Sequence, residues 1–264
     1  RLSPAVTVLS SDDPVRVFQQ FATLDQVSSG RAELLVGRGS FIESFPLFGY
    51  ALEDYEELFA EKLDLLLAIR DNERVTWSGE FRSPLDDVGI YPRPQQDPLP
   101  VWVGVGGTPQ SVVRAGTRGL PVAIAIIGGS PDRFAVLGEL HRRSLADAGF
   151  DPATVPLAVH AHGHIAPTKE QAIEEFWPSY RAAMTRIGRE RGWGPMTYDQ
   201  FEAMVSPAGS LVLGTPEEVG EKIARWRDML GLDRFMLHVS VGSMDPDHVL
   251  RTIELLGTEV PKHL

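Results

Sequence analysis

The 264-residue chain contains no cysteine. Disulfides, thiolate zinc sites, iron–sulfur clusters and a cysteine nucleophile are therefore excluded. A reducing compartment fits this composition, and the expected location is cytoplasmic. The chain has no apolar run near the ~20 residues that span a bilayer, and no basic–apolar–small signal opens it. Positive charge is scarce: 25 Lys and Arg stand against 36 Asp and Glu, for a net charge of −11. Neither nucleic acid nor a membrane is an expected partner of so acidic a chain. A small anion needs only one local pocket and stays admissible. No Gly-x-Ser-x-Gly nucleophile elbow is present, so an α/β-hydrolase is not supported.

What is present suits a globular enzyme. Hydrophobic residues make up 43% and charged residues 23%, and the length suffices to bury a core without staples. One or two domains, or a single α/β barrel, fit 264 residues. We read residues 1–264 as one domain. The chain opens on Arg1-Leu2-Ser3-Pro4 and runs at once into the β-branched stretch 5–9, without an initiator Met, as though it begins at or inside a core strand.

The pattern alternates strand and helix. Asp13-Pro14 is an N-cap and first-turn pair, and Val17, Phe18, Phe21 and Leu24 follow at helical spacing. Strands are expected at 5–9, 32–36, 101–105, 121–127, 156–166 and 235–241. Helices are expected at 14–27, 53–70, 109–118, 131–148, 167–191, 215–230 and 245–257. Stretches 71–99 and 192–214 read as irregular insertions. Six strand–helix repeats with helical crossovers imply a parallel sheet, doubly wound or closed into a barrel.

In either architecture ligands bind at the carboxyl ends of the strands. Four such ends carry small or polar residues: Ser10-Ser11, Gly37-Arg38-Gly39-Ser40, Gly106-Gly107-Thr108 and Gly128-Gly129-Ser130. Glycine lets backbone N–H groups approach a ligand, and a helix start beyond it adds unpaired donors. Gly106 to Ser111 is the strongest phosphate-loop candidate; it is neither a Walker loop nor a dinucleotide fingerprint. An ordinary strand-to-helix turn is the alternative. Arg38 suits a phosphate or a ring carbonyl, or equally a salt bridge at the rim.

His160, His162 and His164 alternate along one expected strand, which places them on one face. With no carboxylate-rich motif nearby, a metal site is not expected. Polar pocket residues that exchange protons near neutral pH fit better. The aromatic stretch around Phe176, Trp177 and Tyr180, with Trp193, Met196 and Tyr198, reads as helix packing or as a lid over an apolar substrate.

In order along nearly the whole chain, several blocks resemble the bacterial luciferase-like flavin-dependent monooxygenases. They are Ala5 to Arg16 (AVTVLSSDDPVR), Ala22 to Arg31 (ATLDQVSSGR), Val36-Gly37-Arg38-Gly39-Ser40, Phe48-Gly49, Pro100-Val101-Trp102-Val103 with Gly106-Gly107-Thr108, and Gly214 to Val219 (GTPEEV). The later blocks are most similar to the single-chain oxidoreductase branch. The resemblance implies a (β/α)8 TIM barrel of the luciferase-like type, lacking in this chain the first two strand–helix units. It implies FMN, reduced by a separate flavin reductase, that reacts with O2 and passes one oxygen atom to a small organic substrate. A deazaflavin coenzyme would instead make a dehydrogenase or reductase that works without oxygen. A non-catalytic flavin-binding subunit is the further alternative.

By position, the resemblance assigns Ser10 and Ser11 to a turn beside the isoalloxazine ring, a turn that holds a non-prolyl cis peptide in many relatives. It assigns Arg38 to the phosphate side, and Gly106, Gly107, Thr108 and Ser111 to the phosphate loop. Gly37 stands where some luciferases have a reactive cysteine. Glu43, Trp177 and Tyr180 are expected on the substrate side, with His160 and His162 as proton donor or acceptor. The two insertions are expected lids. Pairing through the early helices, of which 14–27 is present, makes a homodimer the expected assembly.

Overall fold

The computed structural model describes residues 1–39 and 43–264. They form two compact units, Arg1–Gly104 and Val105–Leu264.

In the first unit, β1 (Thr7–Val8) ends in a 3-10 turn, Leu9–Ser11, before α1 (Pro14–Val27). The Asp13 carboxylate caps α1 by accepting from the N–H groups of Val15 and Arg16. β2 (Leu34–Gly37), α2 (Ser44–Leu47) and α3 (Tyr55–Asp71) follow. Then come β3 (Arg74–Trp77), β4 (Leu85–Gly89) and β5 (Val101–Val105), which reaches the unit boundary. β1 pairs in parallel with β2, and β2 with β5. β2 is buried along its whole length, as a strand covered on both faces must be.

The insertion at 71–99 is not irregular. β3 and β4 form an antiparallel hairpin with a register shift, and the stretch is fastened to α1 and α3. The carboxylate of Asp25, fully buried, accepts from the N–H groups of Ala32, Gln95 and Gln96 and from the Gln96 side chain. Arg93 donates to the carbonyls of Ile69, Arg70 and Asn72 at the end of α3. Arg82 pairs with Asp13 at 2.9 Å. Fastened so densely, the stretch is a strap rather than the expected lid.

In the second unit, α4 (Pro109–Gly116), β6 (Val122–Ile126), α5 (Ala135–Asp147) and β7 (Leu157–Ile165) follow in turn. Next are α6 (Lys169–Glu190), α7 (Tyr198–Val205), β8 (Val212–Gly214), α8 (Pro216–Leu230), β9 (Arg234–His238) and α9 (Pro246–Thr258). β6, β8 and β9 each pair in parallel with β7. α8 opens with a reciprocal capping box between Thr215 and Glu218 and closes at Gly231, which holds φ 65°. α6 runs unbroken through Pro178, although proline removes a donor inside a helix. Phe176 and Tyr180, either side of it, are fully buried against Phe201, Leu211 and Leu213, and that burial holds the helix together. The insertion at 192–214 contributes α7 to this same cluster. No helix among the described residues is long and apolar enough to cross a membrane.

Candidate functional site

At the end of β1, Ser10 is fully buried and its hydroxyl Oγ has no hydrogen-bond partner. A buried orphan of this kind costs roughly 1–3 kcal/mol unless a ligand or water completes it. The Ser10 carbonyl accepts from the Lys62 ammonium at 2.6 Å. Ser11 bonds only its own neighbourhood, through Val8 O at 3.4 Å. The non-prolyl cis bond is Ala5–Val6, upstream of this turn rather than in it.

Arg38 follows β2. Its guanidinium pairs with the Glu56 carboxylate and lies 4.8 Å from the centre of the Tyr55 ring. The rim salt bridge weighed from sequence is therefore formed. Val6 fills the space over Gly37: a Cβ there would meet Val6 Cγ2 at 2.8 Å. Glu43 is exposed and precedes α2. Ser40 lies outside the described residues.

In the second unit, Gly106 and Gly107 follow β5, and a Cβ at Gly106, Gly128 or Gly129 would meet nothing within 4 Å. Gly107 has φ 115°, a conformation that glycine alone adopts readily. Thr108 is the N-cap of α4 but makes no side-chain cap bond, and Ser111 is buried one turn into the helix. This is an open backbone cradle at a helix start, the arrangement that accepts a phosphate.

The histidine strand divides into two groups. His160 and His162 meet a third imidazole, His238 of β9, with ring centres 5.4 and 5.1 Å apart. The β7–β9 register places His162 opposite His238. Burial, then repulsion from His238, pushes His160 down to about 4 and His162 to about 3. The imidazoles are thus neutral at physiological pH, and His162 Nδ1 is buried without a partner. The Tyr180 ring lies 6.0 Å from that of His162. Its hydroxyl faces Met204 Sδ at 3.9 Å, and burial raises its pKa. Trp177 packs against Phe201 and Tyr198 and borders a groove of about 560 Å³ along α6.

His164 belongs to a separate network, built on the single carboxylate of Glu175. His164 Nε2 lies 2.7 Å from Glu175 Oε2 and its Nδ1 2.8 Å from Thr252 Oγ1. Arg251 and Gln171 donate to the same carboxylate. The order hydroxyl–imidazole–carboxylate resembles a nucleophilic triad, but Thr252 is fully sealed and is bonded to the Ile165 main chain. It joins α9 to β7, and the His164–Glu175 bond carries the link on to α6. No group of three or more His, Asp or Glu among the described residues is placed to hold a metal.

Sequence reasoning did not identify His238, Lys62 or Glu175. His238 ends the last strand, and only strand register relates it to His162.

The family model of the luciferase-like monooxygenases matches residues 1–233. The chain belongs to the luciferase-like monooxygenase family. An uncharacterized protein of Sinorhizobium fredii, y4wF, is 33% identical over 270 residues, covering 98% of this chain and 76% of that protein. Among solved structures, the monooxygenase RslO1 from Streptomyces bottropensis superposes with a TM-score of 0.84 at 23% identity, over 100% of this chain and 78% of that one. An F420-dependent secondary alcohol dehydrogenase gives 0.79 at 20%, over 99% and 79%. The FMN-bound oxygenating constituent of 3,6-diketocamphane monooxygenase from Pseudomonas putida gives 0.74 at 18%, over 99% and 79%. The luciferase-like fold, the α/β barrel type expected from the resemblance, is established by these likenesses. Family membership makes the chain a luciferase-like oxidoreductase whose structural neighbours include FMN and F420 proteins.

Proposed function

We propose that this protein is a flavin-dependent monooxygenase that uses reduced FMN and O2 to oxygenate a small organic substrate. The observation that carries the reading is His162: a neutral, buried imidazole with an unpartnered Nδ1, set among His160 and His238. A neutral imidazole with an open ring nitrogen in a water-poor site can hold a hydrogen bond to a reacting atom, or to a proton in transit there, without bringing a standing charge into the site. We assign that role to His162, with His160 beside it.

FMN needs hydrogen-bond donors at its ring and at the phosphate of its tail. We assign Ser10, whose buried Oγ has no partner, and Ser11 to the ring side, and Arg38 to the phosphate side. We assign the phosphate to the backbone cradle of Gly106, Gly107, Thr108 and Ser111, where a Cβ at Gly106 would meet nothing within 4 Å. Reduced flavin, when bound, supplies the electrons that activate O2. The protein's part is to bind, orient and exclude water. We place the substrate near Trp177 and Tyr180, with Glu43 as a further contact. A flavin reductase in the cytoplasm is the natural source of the reduced cofactor, and we propose a homodimer.

A second reading, an F420-dependent dehydrogenase or reductase, is supported by the likeness to the F420-dependent alcohol dehydrogenase. Anaerobic titration with reduced FMN and with reduced F420, followed by admission of air, separates the two. FMN binding with accelerated O2 uptake supports the monooxygenase. Tight F420 binding with no O2 uptake supports the second reading, and binding of neither overturns both.

A further inference from the structure

Lys62 is a charged residue where the fold leaves almost no water: it is 2% exposed. Its ammonium donates to the Ser10 carbonyl at 2.6 Å and lies 4.0 Å from the centre of the Tyr50 ring. A buried lysine is costly unless its position is used. Here its bond fixes one peptide group. The Ser11 N–H belongs to the 3-10 turn Leu9–Ser11, whereas the Ser10 Oγ is buried without a partner. The neighbouring residue Glu61 fixes the strap by accepting from the N–H groups of Glu80 and Phe81.

We propose that Lys62 is a positioning residue for the cofactor: by anchoring the Ser10 carbonyl it fixes the residue whose buried, unpartnered Oγ is offered to a polar ring atom of the bound isoalloxazine. The inference rests on the assignment of Ser10 and Ser11 to that ring. Charges facing Lys62 come from every side of its pocket: Asp12 and Asp13 beyond the turn, Glu61 on its own helix, and the Tyr50 phenol. Asp13 is shared with Arg82. Burial lowers the Lys62 pKa to about 8 against the pull of these acids. Binding that depends on its charge must therefore weaken above that pH.

The test is cofactor affinity of the whole chain, measured with oxidised FMN, with FMN reduced by dithionite, and with F420, from pH 6 to 10. Lys62→Met should weaken binding about tenfold, the size expected for loss of a charge-assisted bond. Lys62→Arg should stay within about threefold of the parent, because a guanidinium keeps both charge and donor. The parent's affinity should fall above pH 8, while that of Lys62→Arg stays flat. Because Arg keeps the pocket filled, this pH profile reads positioning even if Lys62→Met does not fold. Parent binding with no fall above pH 8, or Lys62→Met binding like the parent, overturns the role of Lys62 and leaves the isoalloxazine reading standing. If the parent binds none of the probes, the isoalloxazine reading falls and this inference falls with it.

Discussion

Val6 occupies the place that a side chain on Gly37 would need, with its Cγ2 2.8 Å from where a Cβ would stand. The same residue's Cγ1 comes within 2.8 Å of a Cβ built on Gly104. One isopropyl group thus fills the gap between two strands that carry glycine. Gly37→Ala or Gly37→Cys is expected to cost about 1–3 kcal/mol through overpacking. In Val6→Ala the same substitution should cost measurably less, since the two positions couple. Urea unfolding of the four members of the cycle checks this, and strict additivity would contradict it.

Acid should weaken the second unit through His160 and His162. Their folded pKa values, about 4 and about 3, lie below the ordinary 6.5. Between those values the unfolded chain binds more protons than the folded one, so stability falls as pH drops below 6.5. His160→Gln and His162→Gln should each flatten the slope of unfolding free energy between pH 6.5 and 4. Imidazole NMR should find both rings neutral at pH 5.5.

Lys222 acts as an internal cation for α7. Its ammonium lies 2.8 Å from Ser206 O and 2.6 Å from Leu211 O, and burial brings its pKa down to about 7. The unfolded lysine titrates near 10.5, so stability should rise with pH from about 7 toward that value. Lys62, at about 8, adds to the upper part of this rise. Lys222→Met should leave the carbonyls unpaired at a cost of about 1–3 kcal/mol near neutral pH and should reduce the slope. Denaturant melts at pH 7 and pH 9 measure both effects.

Asp25 should be the acid-labile fastening of the first unit. Burial opposes its charge, but the bonds from Gln96, Ala32 and Gln95 outweigh it and hold its pKa below 3.8. Its contribution is present above that value and is lost as pH falls through the lower folded pKa. Asp25→Asn should destabilise the chain by about 1–3 kcal/mol and raise amide exchange at Gln95 and Gln96.

The elements legible in sequence are those with local signals. The Asp13-Pro14 and Thr215-Pro216 starts place α1 and α8, and the apolar runs give β5 and β6 nearly to the residue. The strand expected at 5–9 shrinks to Thr7–Val8 because the chain turns at Leu9 to bury Ser10. The hairpin of 71–99 escapes notice because Arg74-Val75-Thr76-Trp77 is short and its register shifts. α7 lacks a long periodic face, and its capping box at Thr197 and Gln200 is the signal that was there to find. The even spacing of His160, His162 and His164 correctly places them on one strand. Their division comes from which helices and strands meet that strand, and no local pattern records it.

Asp25 fastens the 71–99 strap through main-chain N–H groups and one glutamine. Peptide groups are the same whatever residue carries them. The strap's outward side chains can therefore drift in evolution with little penalty to this anchorage, while the buried acid beneath it cannot.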